Sequence, residues 1–129
     1  MSSSQANSLL RSDRAAGYTF NGAYVTILPY SEVIVRVNTT SAINNYTLQL
    51  RYSNDGINDI CTESYVVTNN VNYVINSAPV AELIKVSAVF ATEMNNLAID
   101  TLFKTTTVFQ AVQKIAATNG DDLTVTNGS

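Results

Sequence analysis

A catalytic nucleophile and its base are the first chemistry to consider, and the chain supplies few residues for either. It contains no His, the usual general base, and its one Cys is Cys61. A Ser–Lys pair would need Lys85, Lys104 or Lys114 beside a serine. Lys85 and Ser87 share a strand face, but alternate residues of an exposed strand often do, and Cys61 is interpreted as a small buried hydrophobe. We therefore predict that the protein is not an enzyme.

A metal site is the second possibility, because oxygen-bearing side chains cluster in one stretch. Asn54 and Asp55 lie close to Asn58 and Asp59, and calcium binds converging oxygens. Their spacing does not match an EF-hand, which needs a distal bidentate Glu, and zinc would need more Cys and His than the chain contains. No pair of carboxylates is marked for glycoside hydrolysis either. We predict no metal and no cofactor, and instead a structural turn formed by Ser53, Asn54, Asp55 and Gly56.

The seven tyrosines are the remaining residues with binding chemistry. A Tyr side chain combines an apolar ring with a polar tip, which suits both protein interfaces and sugar-binding faces. Alternation along the sequence places most of them on buried strand faces, which favours the core or an interface. A glycan or receptor platform is the alternative, and it would need several rings exposed on one face. All but Tyr30, which lies in a predicted turn, lie on or beside predicted strands: Tyr18, Tyr24, Tyr46, Tyr52, Tyr65 and Tyr73.

The charge balance and the cysteine content limit the partners and the compartment. The 129 residues include 7 Lys and Arg against 10 Asp and Glu, for a net charge of −3 at pH 7, whereas nucleic-acid binding needs clustered cations. One Cys allows no internal disulfide. Residues 1–8 lack the apolar core of a signal peptide, and no stretch approaches the ~18 apolar residues of a membrane span. We therefore predict a soluble protein made inside the cell, with neither nucleic acid nor a membrane as partner.

Alternating apolar and polar residues predict strands along most of the chain. The clearest pattern covers residues 46–52, where apolar side chains at every second position indicate one buried and one wet face. Similar patterns predict strands at residues 32–37, 83–90 and 97–104. The last two place Ile84 to Phe90 and Leu97 to Phe103 inward at alternate positions.

Two hairpins are predicted between these strands. One consists of short strands on either side of residues 21–22, and the other joins residues 63–67 to residues 72–75. Short strands separated by turns, with no intervening helix, are typical of sandwiches and jelly rolls. We therefore predict an all-β, single-domain antiparallel β-sandwich or jelly roll of about eight strands over residues 17–107.

The two ends of the chain break this pattern. Residues 1–16 show little periodicity and are predicted to form an N-terminal arm, either flexible or ordered only against a neighbour. Residues 108–129 are predicted to form a tail with a short amphipathic helix, although three consecutive threonines before it favour an extended lead-in. Such a helix must bury its apolar face on its own domain or on another subunit. The residues at helical spacing, predicted as an assembly interface, are Val108, Phe109, Val112 and Ile115.

Several motifs in order resemble a β-sandwich module that recurs in structural proteins of tailed phages and large DNA viruses. The resemblance rests on YTFNG at residues 18–22, PYSEVIV at 29–35, LQLRYSNDGIN at 48–58, IKV at 84–86 and LAIDTLF at 97–103. It covers most of the predicted sandwich. Members of this family usually have a Trp shortly after the Ser-x-Asp-Gly turn, whereas this chain has none.

The resemblance implies a non-enzymatic virion structural protein: a minor capsid, vertex or capsid-decorating subunit made in the host cytoplasm and located in the virion. We expect it to assemble through its termini and sheet edges, as a homo-oligomer and with other virion proteins. A tail-fibre component and a carbohydrate- or receptor-binding module are the alternatives. The family implies no shared catalytic site.

Overall fold

The computed structural model describes residues 6–105. Nine β-strands carry the regular structure of this part of the chain, and we number them in chain order. They are β1 (Leu9–Arg14), β2 (Thr19–Asn21), β3 (Val25–Thr26), β4 (Glu32–Asn38), β5 (Asn45–Ser53), β6 (Cys61–Thr68), β7 (Asn72–Ser77), β8 (Leu83–Phe90) and β9 (Met94–Lys104).

The strands form two antiparallel sheets that pack face to face. Sheet A has the order β1-β9-β4-β7, and sheet B has the order β2-β8-β5-β6, with β3 also paired to β8. Because β2 and β3 pair with the same strand, they occupy one position, and each sheet then presents the strand order of a jelly roll. The predicted all-β antiparallel sandwich is confirmed.

The core lies between the sheets, and the alternation predicted from the sequence positions it. In β5 the apolar side chains at every second residue point inward, while Thr47, Gln49 and Arg51 point away from the core. The paired strand β8 does the same, and the register sets Leu50 opposite Val86. The fully buried large side chains are Ile27, Val33, Val35, Tyr46, Leu48, Leu50, Tyr52, Ile84, Phe90, Met94, Leu97 and Ile99.

Residues 9–14 form β1, an edge strand of the chain's own sandwich, where the sequence predicted an arm. β1 pairs with β9, with Leu9 opposite Ile99 and Arg14 opposite Met94. Two register irregularities interrupt this pairing. They disturb the alternation of inward and outward side chains, and this is why the sequence of β1 carries no strand pattern.

Asn7 joins the N-terminal segment to both sheets. Its Oδ1 accepts hydrogen bonds from the backbone N–H groups of Val86 (2.9 Å) and Ala23 (3.2 Å), and its Nδ2 donates to the Ala23 carbonyl (3.0 Å). It therefore fills the gap between β2 and β3. These strands pair with β8 and not with each other, so the predicted hairpin around residues 21–22 is wrong. The Asn7 carbonyl accepts a bond from Thr101 Oγ1 in sheet A (2.6 Å). A Cβ at Gly22 would overlap Asn7 Oδ1 and lie 2.6 Å from the Val86 carbonyl oxygen, so the close approach of Asn7 and Val86 requires glycine there.

The predicted hairpin of residues 63–67 and 72–75 is wrong, because its two strands lie in different sheets. β6 pairs with β5 in sheet B, and β7 pairs with β4 in sheet A. The turn between them crosses the sandwich, and Asn69 adopts a positive φ of 53° there. Asn44 Oδ1 accepts a hydrogen bond from the Asn70 N–H (3.2 Å), which ties this turn to a distant loop. Sequence patterns of turn residues do not distinguish such a crossing from a tight hairpin.

Candidate assembly surfaces

Three loops meet at one end of the sandwich: residues 27–31, 54–60 and 78–82. The strand pairing brings them together. Ser53, just before the second loop, lies opposite Leu83, just after the third, and Glu32, just after the first loop, lies opposite Lys104. Hydrogen bonds join the loops, since the Ile27 N–H donates to the Glu82 carbonyl (2.8 Å). We call this the apolar end, because large apolar side chains are exposed in its loops.

Large apolar side chains are exposed in all three of these loops. Their exposed fractions run from 41% for Tyr30 to 78% for Ile57. Isolated exposed apolar residues are ordinary, but a group gathered at one end of a domain is a feature of interaction surfaces. The group consists of Leu28, Tyr30, Ile57, Ile60 and Val80.

The predicted assembly residues of the tail belong to the segment that follows this end. β9 finishes at Lys104, whose carbonyl accepts a hydrogen bond from the Ser31 N–H (2.9 Å). The chain therefore continues beyond residue 105 from the apolar end. The residues predicted for the interface, Val108, Phe109, Val112 and Ile115, lie outside the described residues.

The predicted structural turn lies in the 54–60 loop, and side chains organise it. Ser53 Oγ accepts bonds from the N–H groups of Asp55 (3.2 Å) and Gly56 (3.0 Å), and Gly56 has a φ of +77°. Asp55 Oδ1 accepts bonds from the N–H groups of Ile57 and Asn58, both at 2.8 Å. These bonds hold the pKa of the Asp55 carboxyl well below its usual range, because they stabilise the carboxylate.

The side-chain oxygens considered as calcium ligands lie in the same loop, where they accept hydrogen bonds from protein donors. Asp55 Oδ2 accepts a bond from Asn58 Nδ2 (3.1 Å), and Asn54 Oδ1 accepts one from the Glu82 N–H (3.0 Å). The side-chain oxygens therefore hold loops together. Within residues 6–105, no three His, Cys, Asp or Glu residues are placed to hold a metal ion.

The opposite end of the sandwich is joined by polar side chains, and we call it the asparagine end. It consists of the loops at residues 39–44, 69–71 and 91–93. Asn44 is buried, and its Nδ2 donates to the carbonyls of Ser41 (2.9 Å) and Asn70 (3.2 Å). Buried Thr39 donates from Oγ1 to the Asn95 carbonyl (2.7 Å).

A polar group covers part of the outer face of sheet B. The Tyr24 hydroxyl donates a short hydrogen bond to Asp59, which raises the pKa of Tyr24. Arg51 Nη1 lies 3.4 Å from the other Asp59 carboxylate oxygen. The Lys85 ammonium lies over the Tyr24 ring, 4.7 Å from its centroid, while Ser87 is buried. In the structure Lys85 therefore contacts the Tyr24 ring, whereas the sequence suggests Ser87 as its partner.

The tyrosines divide between the core and the surface. Tyr46 and Tyr52 are fully buried, and burial raises the pKa of both. The Tyr46 ring packs 5.0 Å from that of Phe90, and the Tyr30 ring packs 5.7 Å from that of Phe103. Among the described residues, Tyr30 at the apolar end and Tyr24 on sheet B lie on different surfaces. The several rings on one face that a sugar platform needs are not brought together in this part of the chain.

The sequence analysis does not predict a partly buried chain of polar side chains that lies on the side of β6 and β7. Tyr52 and Ser77 share a hydrogen bond of 2.6 Å between their hydroxyls, and Ser77 Oγ donates to Glu63 Oε1 (2.8 Å). The Tyr65 hydroxyl also donates to Glu63 (3.0 Å), and burial together with this bond raises the pKa of Tyr65 to about 12. The position of Glu63, two residues before Tyr65 on the inward face of β6, is the sequence feature that could have indicated this contact.

No helix within residues 6–105 is long and apolar enough to span a membrane. Comparison with known proteins returned no matching family model, curated protein or solved structure. The resemblance to virion modules therefore stays a prediction based on the sequence motifs.

Proposed function

We propose that the chain is a non-enzymatic structural subunit of a virion, either a minor capsid, a vertex or a capsid-decorating protein. It assembles with copies of itself and with other virion proteins through its apolar end, its termini and its sheet edges. The observation that carries the assembly role is the gathering of exposed Leu28, Ile57, Ile60 and Val80 at the end where the chain continues into its apolar tail.

The physical support is the free energy of burying this surface. Removing apolar area from water contributes about 25 cal/mol per Å², so a contact that covers several large side chains stabilises an assembly. The loops that present them are held by their own hydrogen bonds, such as Asn54 Oδ1 with the Glu82 N–H. A partner then meets a surface that is already ordered, which lowers the entropy cost of binding.

The virion assignment rests on the motif resemblance and on an analogy of fold. Jelly rolls with two sheets occur in viral capsid proteins, and also in lectins and cupins. Fold alone does not determine function, so the resemblance of motifs selects the first of these classes. The proposed location is the virion, after synthesis in the host cytoplasm.

The assembly role is tested by placing charge on the apolar end. We expect the double substitution Ile57→Asp and Val80→Asp to lower the sedimentation coefficient of the full-length chain, because burying carboxylates in an apolar contact is costly. Ile43→Asp is the matched control, since Ile43 is 77% exposed, like Ile57 at 78%, but lies at the asparagine end. Equal sedimentation of both variants and the parent chain would contradict the proposal.

The virion role needs a separate experiment. Antibodies raised against the chain should label purified particles, at the vertices or over the shell, in immunogold electron microscopy. Particles that lack the chain, examined by mass spectrometry, would overturn the virion assignment and leave the assembly behaviour of the isolated protein unaffected.

Glycan or receptor binding, as in a tail-fibre module, is the second candidate. The observation that favours it is the Tyr24 ring on the outer face of sheet B, flanked by Asp59, Arg51 and Lys85. A glycan array probed with the purified chain tests it. Binding that disappears in Tyr24→Ala would support this candidate, and the absence of any bound glycan would contradict it.

A further inference from the structure

Strand β6 is an edge strand of sheet B, and within residues 6–105 one side of it has unpaired backbone groups. It covers the eight residues Cys61–Thr68, and among the nine described strands it pairs only with β5. The Asn69 N–H donates to the Asn44 carbonyl, and the Ala91 N–H donates to the Asn45 carbonyl. In an antiparallel strand, the backbone groups of successive residues point to opposite sides. Because Asn69 points to β5, Thr68 points away from it, and the Asn45 carbonyl opposite Thr68 likewise points away from β6. These two bonds therefore fix the direction of every group in β6.

The alternation leaves four residues with outward backbone N–H and C=O groups. Cys61, Glu63, Tyr65 and Val67 direct theirs to β5, opposite Tyr52, Leu50, Leu48 and Tyr46 in the register. In the described part of the chain, no backbone hydrogen bond reaches the outward groups of the intervening residues. Those residues are Thr62, Ser64, Val66 and Thr68.

Of the other three edge strands, β1 and β2 are protected in ways that β6 is not, and β7 is shorter, with six residues against the eight of β6. β1 has two register irregularities and carries Arg11, Asp13 and Arg14. β2 has three residues, and Asn7 occupies the gap beside it. Bulges, short length and charge are the devices that prevent edge pairing. β6 has a continuous register, no Lys, Arg or Pro, and a Val66 side chain that is 75% exposed.

We infer that β6 pairs with β6 of a second copy of this chain, antiparallel and about a two-fold axis near Tyr65. This inference deepens the proposed assembly role and rests on it. Identical antiparallel edges are complementary under a two-fold rotation, because each copy presents the same donors and acceptors in reverse order. The result is one sheet that continues from sheet B of one copy into sheet B of the other.

The charges on this side of the molecule are compatible with a second copy. Pairing about Tyr65 sets Thr62 opposite Thr68 of the partner subunit and Ser64 opposite Val66 of the partner subunit, all uncharged. Glu63 is the one ionisable carboxylate of β6, and it faces inward, where Ser77 and Tyr65 donate to it. It would meet Val67 of the partner subunit, so no like charges come together.

Amide hydrogen exchange on the full-length chain tests this pairing directly. We expect the N–H groups of Ser64 and Val66, with those of Thr62 and Thr68, to gain protection as the concentration rises from micromolar to millimolar. The amides of Glu63 and Tyr65 are bonded to β5 in every state and should be protected throughout. Loss of this concentration dependence in Val66→Lys is the second expected result, because a Lys on an edge opposes pairing.

Two variants separate the outcomes. Val89→Lys is the matched control, since Val89 is exposed (54%) on the outer face of sheet B but lies in the central strand β8, and it should keep the protection. The variant with Ile57→Asp and Val80→Asp should keep it as well.

Outward amides that never gain protection, in a chain that still assembles through the apolar end, overturn the β6 pairing and leave the proposed function standing. Protection that persists in Val66→Lys also overturns it, and a chain that stays monomeric overturns both forms of self-association.

Discussion

At both ends of this sandwich, side chains hydrogen-bond to the backbone of the loops, but the two ends differ in which side chains are buried and which are exposed. At the asparagine end, buried Asn44 bonds the backbone of the 69–71 loop, and buried Thr39 bonds the backbone at the start of β9. At the apolar end, Ser53 and Asp55 bond backbone groups within their own loop, and apolar side chains point into solvent.

The difference separates the end that stabilises the domain from the end through which we propose that it associates. Buried amide and hydroxyl groups at the asparagine end satisfy backbone groups of the loops, so their loss should destabilise the domain. At the apolar end, Ile57 and Val80 are exposed and lie outside the core, so replacing them should affect contacts with partners far more than stability. Ile43 and Val71 are the large apolar side chains exposed in the loops of the asparagine end, and they do not form a comparable group.

Asn44→Ala should produce the largest loss of stability. The substitution leaves the carbonyls of Ser41 and Asn70 and the N–H of Asn70 without their side-chain partner, at a cost of about 3 kcal/mol. Urea unfolding monitored by circular dichroism measures it. Asn45→Ala is the control, because its exposed side chain should contribute less than about 0.5 kcal/mol. Equal stability of the two variants would show that the asparagine end does not hold the loops.

Gly56→Val should cost less, about 2 kcal/mol, because a β-branched residue is strained at a φ of +77°. The thermal midpoint measures this effect. Gly56→Asn is the control, since Asn tolerates the left-handed conformation better than other residues. If Val and Asn are tolerated equally, the turn in solution differs from the one described.

Two core tyrosines compare the ends with the same substitution. Tyr52→Phe removes the hydrogen bond to Ser77 near the apolar end and should cost about 1 kcal/mol. Tyr46→Phe, near the asparagine end, should change stability by less than about 0.5 kcal/mol, because the Tyr46 hydroxyl has no partner among the described residues. Chemical unfolding of both variants gives the comparison, and a larger loss for Tyr46→Phe would reverse it.

The smallest effect is a pH dependence at Asp55. The pKa of its carboxyl is lower in the folded chain than in the unfolded chain, so its contribution is complete above the unfolded value of about 4. That contribution is lost as the pH falls through the folded pKa. We expect Asp55→Asn to flatten the fall in stability below about pH 4, measured by urea unfolding at several pH values. Parallel profiles for both proteins would exclude this role of Asp55.

Much of the fold could be predicted from local alternation, because the central strands obey it. β4, β5, β8 and β9 each bury every second residue over most of their length, and the register then places these residues in one core. β1 could not be predicted, since its irregular register removes the pattern. Local residue patterns do not encode which strand a turn leads to, so they predict a hairpin although β6 and β7 lie in different sheets.

The candidate assembly surfaces are less predictable from the sequence than the fold. Apolar residues such as Leu28, Ile57 and Val80 are far apart in the sequence, and only the topology brings their loops together. Asn7 likewise acts through contacts with Ala23, Val86 and Thr101 that no sequence spacing indicates. Sequence reasoning did identify the Ser53 to Gly56 segment as a turn, because Ser, Asn, Asp and Gly favour turns for local reasons.

The solution mass of the full-length chain tests the central claim, which is that this domain exists to assemble. Light scattering should give a mass well above the 13.9 kDa of one chain and a mass that rises with concentration. The Ile57→Asp and Val80→Asp variant should give a smaller mass under the same conditions, while Ile43→Asp should match the parent. A mass of 13.9 kDa at every concentration would contradict the account.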